Sequence, residues 1–112
     1  MLEEIEQKII DLQPTVSMLN PPYSLKEEGK HELNFVLSAL NVTKKDGLVF
    51  AIIPISCAIE NNKQTLEYKK LILENHTLVS VISMPEELFY PVGTITCIMV
   101  FKAKVKIGRA HV

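Results

Sequence analysis

The sequence is short of several residues and patterns that mark particular protein classes. Its 112 residues include no tryptophan, two cysteines and four glycines, and 12 Lys and Arg against 13 Asp and Glu give a net charge of −1. Proteins that bind nucleic acid on their own usually carry a clustered positive face. The balanced charge therefore excludes an independent nucleic-acid-binding module. Any phosphate contacts would come mostly from another segment or subunit.

Long apolar runs are absent as well. No run approaches the roughly 20 residues that a helix needs to cross a bilayer. The N-terminal residues Met1–Glu4 are acidic and lack a signal-peptide pattern. We therefore predict no membrane partner and a cytoplasmic location. Cys57 and Cys97 lie inside apolar runs, and in a reducing compartment such cysteines are expected to be buried free thiols.

Metal-ligand spacing is the third absence. His31, His76 and His111 are far apart in the sequence and form no ligand pattern with the two cysteines. We therefore predict that no metal is bound. His31 stands where a helix is expected to begin, and we expect it to be solvated rather than catalytic.

The composition that is present suits one folded domain. The hydrophobic fraction is 47% and the charged fraction 22%, which is ordinary for a folded chain. An apolar stripe at helical spacing predicts a helix over residues 31–45, and Gly47 is expected in a left-handed turn that closes it. The full pattern predicts a helix over 1–11, an extended run over 15–19, a helix over 31–45, a strand over 48–54, a helix over 64–74, and strands over 77–84 and 95–101.

The order of these elements predicts an α/β fold. The continuous apolar run over 48–54 is typical of a strand buried on both faces in a parallel sheet. Strand, helix, strand, helix, strand indicates parallel strands with right-handed crossovers. The link over 85–94 is about ten residues, too short for a helical crossover, so the last strand should return antiparallel. We predict a mixed sheet with an antiparallel last strand.

The residues that could take part in chemistry are expected at one edge of this sheet. Asn20-Pro21-Pro22-Tyr23 follows the first strand, and Phe89-Tyr90 follows another parallel strand. In open α/β sheets, ligands bind outside the carboxyl ends of the strands. An amide, a rigid double proline and aromatic rings are therefore expected on one edge. The alternative is that Asn-Pro-Pro is simply a turn.

These residue types suit chemistry on an exocyclic amino group of a base. Such a nitrogen is a poor nucleophile because its lone pair is delocalised into the ring. Two fixed acceptors, the side-chain oxygen of Asn20 and the carbonyl of Pro21, would favour its pyramidal form in the transition state. Proline stiffens the turn. Tyr23 offers a face on which an extruded base could stack.

At these residues the sequence resembles a known family. Asp/Asn-Pro-Pro-Tyr/Phe is the catalytic motif of amino-methyltransferases on the Rossmann-like fold. Residues 14–24 and 83–101 are similar to the methylation (M) subunit of type I restriction-modification systems and its stand-alone relatives. The resemblance covers roughly residues 1–105. It implies part of a Rossmann-like S-adenosylmethionine-dependent methyltransferase fold and a site-specific DNA adenine-N6 methyltransferase.

The resemblance also implies roles for individual residues. The methyl group would pass directly from the sulfonium to adenine N6, without a covalent enzyme intermediate. DNA, a specificity subunit and, in some systems, a restriction subunit would be the partners. The implied catalytic residues are Asn20, Pro21, Pro22 and Tyr23, and the implied stacking residues for the flipped adenine are Tyr23, Phe89 and Tyr90.

One departure from the family concerns the cofactor. The glycine-rich loop that binds S-adenosylmethionine lies upstream of Asn-Pro-Pro-Tyr in the family, and no two of Gly29, Gly47, Gly93 and Gly108 form such a loop. We therefore expect residues 1–105 to be the C-terminal part of the catalytic domain. The cofactor-binding residues cannot be assigned, and the chain alone should be inactive. Residues 106–112 read as an added cloning or sequencing tail, or else as a short basic tail.

Two other interpretations stay open at the level of sequence. Protein-glutamine and ribosomal-RNA guanine methyltransferases share the Asn-Pro-Pro-Tyr motif. The chain could also be a non-catalytic α/β interaction module that docks a partner through an open sheet edge.

Overall fold

The computed structural model describes residues 2–21, 31–85 and 95–106. None of the helices in those ranges has the length and apolar character of a membrane-spanning segment. The helices and strands, in chain order, are α1 (Leu2–Asp11), β1 (Val16–Leu19), α2 (Glu32–Val42), β2 (Leu48–Pro54), α3 (Ser56–Ile59), α4 (Lys63–Asn75), β3 (Thr77–Ser83) and β4 (Thr96–Lys102). The predicted elements agree with these to within a few residues. The short helix α3 was not predicted, because four residues are too few to show a helical period.

The four strands form one sheet in the order β1-β2-β4-β3. β1 pairs in parallel with β2, and β4 lies between β2 and β3 and is antiparallel to both. β1, β2 and β3 therefore run in the same direction. The predicted mixed sheet with an antiparallel last strand is confirmed.

The core lies between the helices and one face of the sheet. Along β2, buried Val49, Ala51 and Ile53 alternate with side chains that are only partly buried. The buried set packs with side chains of α2, α3, α4 and β4, which are Leu33, Val36, Leu40, Cys57, Ile72, Cys97, Met99 and Phe101. The prediction that this strand is buried on both faces is wrong for the described part of the chain. The core cluster there draws on one face of β2 only.

The turn after α2 differs from the prediction at Gly47. The helix ends at Val42, and the residue with a left-handed backbone is Asp46, with a φ of 72°. Gly47 is required for a different reason. A Cβ on it would lie 2.6 Å from Thr43 Cγ2 and 2.8 Å from the carbonyl oxygen of Thr15. The absence of a side chain therefore allows β1, the end of α2 and the start of β2 to approach closely.

The cysteines behave as predicted. Cys57 and Cys97 are both buried thiols, and neither takes part in a disulfide. Burial raises the pKa of the Cys97 thiol above its ordinary value, because removal from water disfavours the thiolate.

Candidate functional site

The candidate site lies at the carboxyl edge of the sheet. Because β1, β2 and β3 run in one direction, their carboxyl ends share this edge. β1 ends at Leu19 opposite Ala51, three residues before β2 ends at Pro54. Asn20 therefore follows β1 at this edge, before the point at which the neighbouring strand β2 ends. That is the kind of place where open α/β sheets bind ligands.

The first two residues of the motif have opposite environments. Asn20 is exposed, whereas Pro21 is buried. A buried proline fixes the backbone at this point, because its ring restricts φ and packs against neighbouring groups. The exposed amide remains accessible from solvent. This arrangement is compatible with an amide that meets an incoming ligand.

The aromatic part of the predicted site lies outside the described residues. Pro22, Tyr23, Phe89 and Tyr90 all fall in the two ranges 22–30 and 86–94, which are not described. The predicted stacking of a base between these rings therefore stays a prediction. The structure brings together only the Asn20-Pro21 turn and the ends of the neighbouring strands.

The residues at the start of α2 belong to a buried polar cluster at the same edge of the sheet. His31 Nδ1 accepts a hydrogen bond from the backbone N–H of Leu33 at 3.0 Å, and His31 Nε2 lies 3.2 Å from Thr65 Oγ1. Because Nδ1 accepts, the neutral ring carries its proton on Nε2 and donates it to Thr65. The His31 ring centroid lies 5.0 Å from that of Tyr68. His31 thus caps α2 and joins it to α4.

The prediction that His31 is solvated is wrong, because its side chain is buried in this cluster, with the residue 3% exposed. The physical reason is its hydrogen-bonding partner, Thr65, which lies 34 residues away. Helical periodicity describes one helix at a time and gives no sign of a bond between two helices. The available signal was the position of His31 immediately before an apolar stripe, where a side-chain acceptor can cap a helix.

Glu32 and Cys57 complete the buried cluster. Cys57 Sγ lies 3.8 Å from Glu32 Oε1, and His31 Nδ1 lies 4.0 Å from the same oxygen. An acidic residue in the first turn suits the positive end of the α2 dipole. Sequence reasoning missed Glu32, since acidic residues at helix starts are common. In the described ranges no group of three or more His, Cys, Asp and Glu residues could hold a metal ion.

Comparison with known sequences gives a family and a relative. The sequence profile described as N-6 DNA methylase matches residues 11–111. The type II restriction enzyme and methyltransferase RM.BcgI of Heyndrickxia coagulans is 38% identical over 93 residues. That match covers 80% of this chain and 15% of the relative, so the chain spans a small part of its relative's length.

Solved structures share the fold. The type I restriction-modification methyltransferase subunit of Streptococcus thermophilus has a TM-score of 0.66 at 21% identity, over 81% of this chain and 24% of that one. A Listeria monocytogenes protein assigned to the class I S-adenosylmethionine-dependent methyltransferases has a TM-score of 0.64 at 22% identity, over 85% and 34%. These likenesses confirm the predicted fold class, which is part of the S-adenosylmethionine-dependent methyltransferase fold.

Proposed function

The chain belongs to the N-6 DNA methylase family, and we propose that it supplies the target-base side of a site-specific DNA adenine-N6 methyltransferase, the modification subunit of a restriction-modification system. The observation that carries this proposal is the placement of Asn20. Its exposed amide follows β1 directly at the carboxyl edge of the sheet, and buried Pro21 anchors the turn.

The proposed role of the turn is to hold the reacting amine. Asn20 Oδ1 and the carbonyl oxygen of Pro21 would each accept one hydrogen bond from N6 of a flipped adenine. Fixed acceptors favour the pyramidal nitrogen, whose lone pair is no longer delocalised, and so act mainly in the transition state. Pro22 would stiffen the turn further, and Tyr23, Phe89 and Tyr90 would stack on the base.

The described residues do not fit the cofactor by themselves. Gly47 is the one glycine in the described ranges, and it precedes β2 at the opposite edge of the sheet from Asn20. No two of the four glycines in the sequence form a glycine-rich loop, so we propose that a loop for S-adenosylmethionine comes from polypeptide outside this chain. We accordingly expect the isolated chain neither to bind the cofactor nor to methylate DNA, and we expect no metal.

Two exposed apolar side chains support the proposal that residues 1–105 are one part of a larger catalytic domain. Val16 and Met18, on β1, are 57% and 74% exposed. β1 is the first strand in the sheet order, so in the described part of the chain it pairs only with β2. An edge of this kind invites a further strand or helix. We propose that the cofactor-binding half packs there, and that residues 106–112 are an added tail without function.

The proposed partners follow from the same assignment. DNA would be the substrate, a specificity subunit would read the sequence, and a restriction subunit could join the assembly. The net charge of −1 supports a division of labour in which other subunits make most phosphate contacts. We place the protein in the cytoplasm, where such an assembly would meet DNA.

The proposal can be tested in the Heyndrickxia coagulans relative. Its matching 93-residue segment would be replaced by the segment of this chain, and the chimera supplied with tritiated S-adenosylmethionine and, separately, DNA, RNA and a protein release factor. We expect label in DNA adenine only. Label in RNA or in protein alone would instead favour the ribosomal-RNA or protein-glutamine alternative. An unlabelled DNA pool with a folded, cofactor-binding chimera would contradict the proposal.

A second candidate is a non-catalytic interaction module. The exposed Val16 and Met18 on the edge strand favour it, because an apolar edge can dock another protein. Size-exclusion chromatography of the 112-residue chain separates the two readings. A well-behaved monomer would favour a complete module, whereas self-association through an incomplete sheet would favour part of a larger domain.

A further inference from the structure

We propose that α1, β1 and the face of the sheet opposite α2 form one docking surface, on which the cofactor-binding half packs from both sides of β1 and is held without a peptide bond. This inference rests on the proposed function. It extends the contact beyond the edge of β1 and assigns a role to the apolar stripe of α1. The partner that fits is an α/β polypeptide with an apolar contact surface and basic residues beside it.

The side chains of β1 point alternately to the two faces of the sheet. Ser17 Oγ lies 2.8 Å from Thr43 Oγ1 at the end of α2, and Leu19 packs against the core cluster. Val16 and Met18 therefore point to the opposite face, and both are more than half exposed. The described residues thus leave apolar side chains of β1 uncovered on the face away from α2.

The apolar surface on this face continues across the sheet. Val16 and Met18 pair with Leu48 and Phe50 of β2, and Phe50 pairs with Val100 of β4. Paired residues share a face of the sheet, so these five uncharged side chains form one surface. β1 and β2 are parallel, and parallel strands are almost always covered on both faces. We therefore expect this surface to be covered in the whole protein.

α1 carries a second exposed apolar surface, on the other side of β1. Ile5 and Ile9 are both exposed, and because they lie four residues apart they share one face of the helix. α1 contacts α2, which places it with the helices on the Leu19 face of the sheet. Apolar side chains are therefore exposed on both sides of the β1 edge. A partner that continues the sheet past β1 would be covered by α1 on one face and could reach Met18 on the other.

Two observations favour the cofactor-binding half over a second copy of this chain. The chain spans 15% of the Heyndrickxia coagulans relative and 24% of the Streptococcus thermophilus subunit, so most of each of those proteins lies outside the matched part. In addition, α1 has four acidic residues and one lysine, so the packing of α1 against its own copy would bring like charges together. A partner with basic residues near α1 avoids that repulsion.

Single cysteines test the surface through their rate of reaction with a maleimide. Met18→Cys and Ile5→Cys are compared in the isolated chain and in the chimera with the Heyndrickxia coagulans relative, built so that it includes α1. Leu66→Cys is the matched control, because Leu66 on α4 is 46% exposed and Ile5 is 50% exposed. Cys57 and Cys97 are buried, and mass spectrometry assigns the label to each site.

In the chimera, Met18→Cys and Ile5→Cys should react about tenfold or more slowly than in the isolated chain, because labelling then requires local opening of the docked surface. Leu66→Cys should react at the same rate in both proteins. Fast labelling of either Met18→Cys or Ile5→Cys in the chimera would overturn the two-sided surface. Equally slow labelling in the isolated chain would assign the surface to a second copy and would also overturn the inference.

The second measurement tests whether the surface holds the two parts together after cleavage. A protease site is placed before α1 in the chimera, and the cleaved protein is analysed by size-exclusion chromatography. The two parts should elute together, Ile5→Glu combined with Met18→Lys should separate them, and Leu66→Lys should not. Separation of the unsubstituted parts, or co-elution of the doubly substituted ones, would overturn the inference. Co-eluting parts that bind the cofactor and DNA without methylating adenine would support the surface and contradict the proposed function.

Discussion

The two edges of the sheet are built differently. At the amino edge, the turn after α2 and the end of β4 hold each other by backbone bonds: Asp46 N–H donates to Ala103 at 2.9 Å, and Ala103 N–H donates to Gly47 at 2.8 Å. At the carboxyl edge, the described chain leaves Asn20 exposed. The amino edge is thus closed by polar bonds between neighbouring turns. The carboxyl edge presents a polar side chain to solvent. Backbone bonds from Ile55 N–H to Ile95 and from Met84 N–H to Thr96 stabilise the carboxyl edge as well, so the two edges differ in the exposed amide, to which we propose that the function belongs.

The largest expected effect is at the carboxyl edge. Asn20→Ala should lower methylation by the chimera about 100- to 1,000-fold, because one fixed acceptor for the developing charge is lost. DNA binding should persist, and the free energy of unfolding should change by less than about 0.5 kcal/mol, since the residue is exposed. Tritium transfer, a gel-shift assay and urea unfolding measure the three quantities.

The matched control for this change is Asn75→Ala, which removes an exposed asparagine at the end of α4, near the amino edge. It should keep near-normal turnover. If Asn20→Ala also retained near-normal turnover, the proposed role of Asn20 at the carboxyl edge would be wrong.

The next largest effect is expected at the amino edge, where a substitution should lower the free energy of unfolding. Gly47→Ala would place a Cβ 2.6 Å from Thr43 Cγ2 and within 3 Å of two backbone oxygens, those of Thr15 and Lys44. Backbone atoms cannot move away cheaply, so we expect a loss of about 1–3 kcal/mol in unfolding free energy. Urea unfolding of the chain measures it, with the exposed neighbour Lys45→Ala as control. Equal midpoints for the two variants would show that this turn is not tightly packed.

The sequence predicted what depends on local pattern. Apolar runs and helical spacing located β2 and α2 because burial imposes the period along the chain itself. The length of the 85–94 link predicted the antiparallel β4, since a short link cannot carry a helical crossover. The fold class was therefore largely predictable, even though α3 was missed.

What the sequence could not predict depends on partners distant in the chain. The bond between His31 and Thr65 spans 34 residues, and the need for Gly47 comes from the approach of Thr15. Neither of these two contacts produces a periodic pattern in the sequence. For the candidate site, the motif predicted the position of Asn20 at the carboxyl edge. The roles of Asn20 and Pro21, and the stacking by Tyr23, Phe89 and Tyr90, stay predictions.

Acidification should lower the free energy of unfolding through His76, which lies at the amino edge. His76 is buried, its Nδ1 accepts the N–H of Lys104 at 2.8 Å, and burial, with a smaller contribution from the charge of Lys104, lowers the pKa of His76 below 6.5. The unfolded chain then binds a proton more readily than the folded one. This contribution to stability is constant above pH 6.5 and decreases as the pH falls from there towards the folded-state pKa.

Urea unfolding between about pH 8 and pH 5 measures this dependence, across the range in which histidine titrates. The informative comparison is with His76→Asn, which keeps an oxygen acceptor for Lys104 but does not titrate. The wild type should lose more stability on acidification than this variant does. Parallel curves for the two proteins would remove His76 as the cause.

The smallest expected effect tests whether the side chains of the amino edge add to its backbone bonds. Lys104 Nζ donates to the carbonyl oxygens of Asn41 at 3.1 Å and Thr43 at 2.8 Å, where the C-terminal end of α2 carries partial negative charge. Lys104→Met keeps the aliphatic length but removes the charge, and should lower the free energy of unfolding by about 0.3–1 kcal/mol. Lys106→Met, at an exposed position, is the control. Because salt screens an exposed charge, the difference between the two variants should shrink at high ionic strength. A difference that salt leaves unchanged would mean that Lys104 acts through packing or its backbone rather than through its charge.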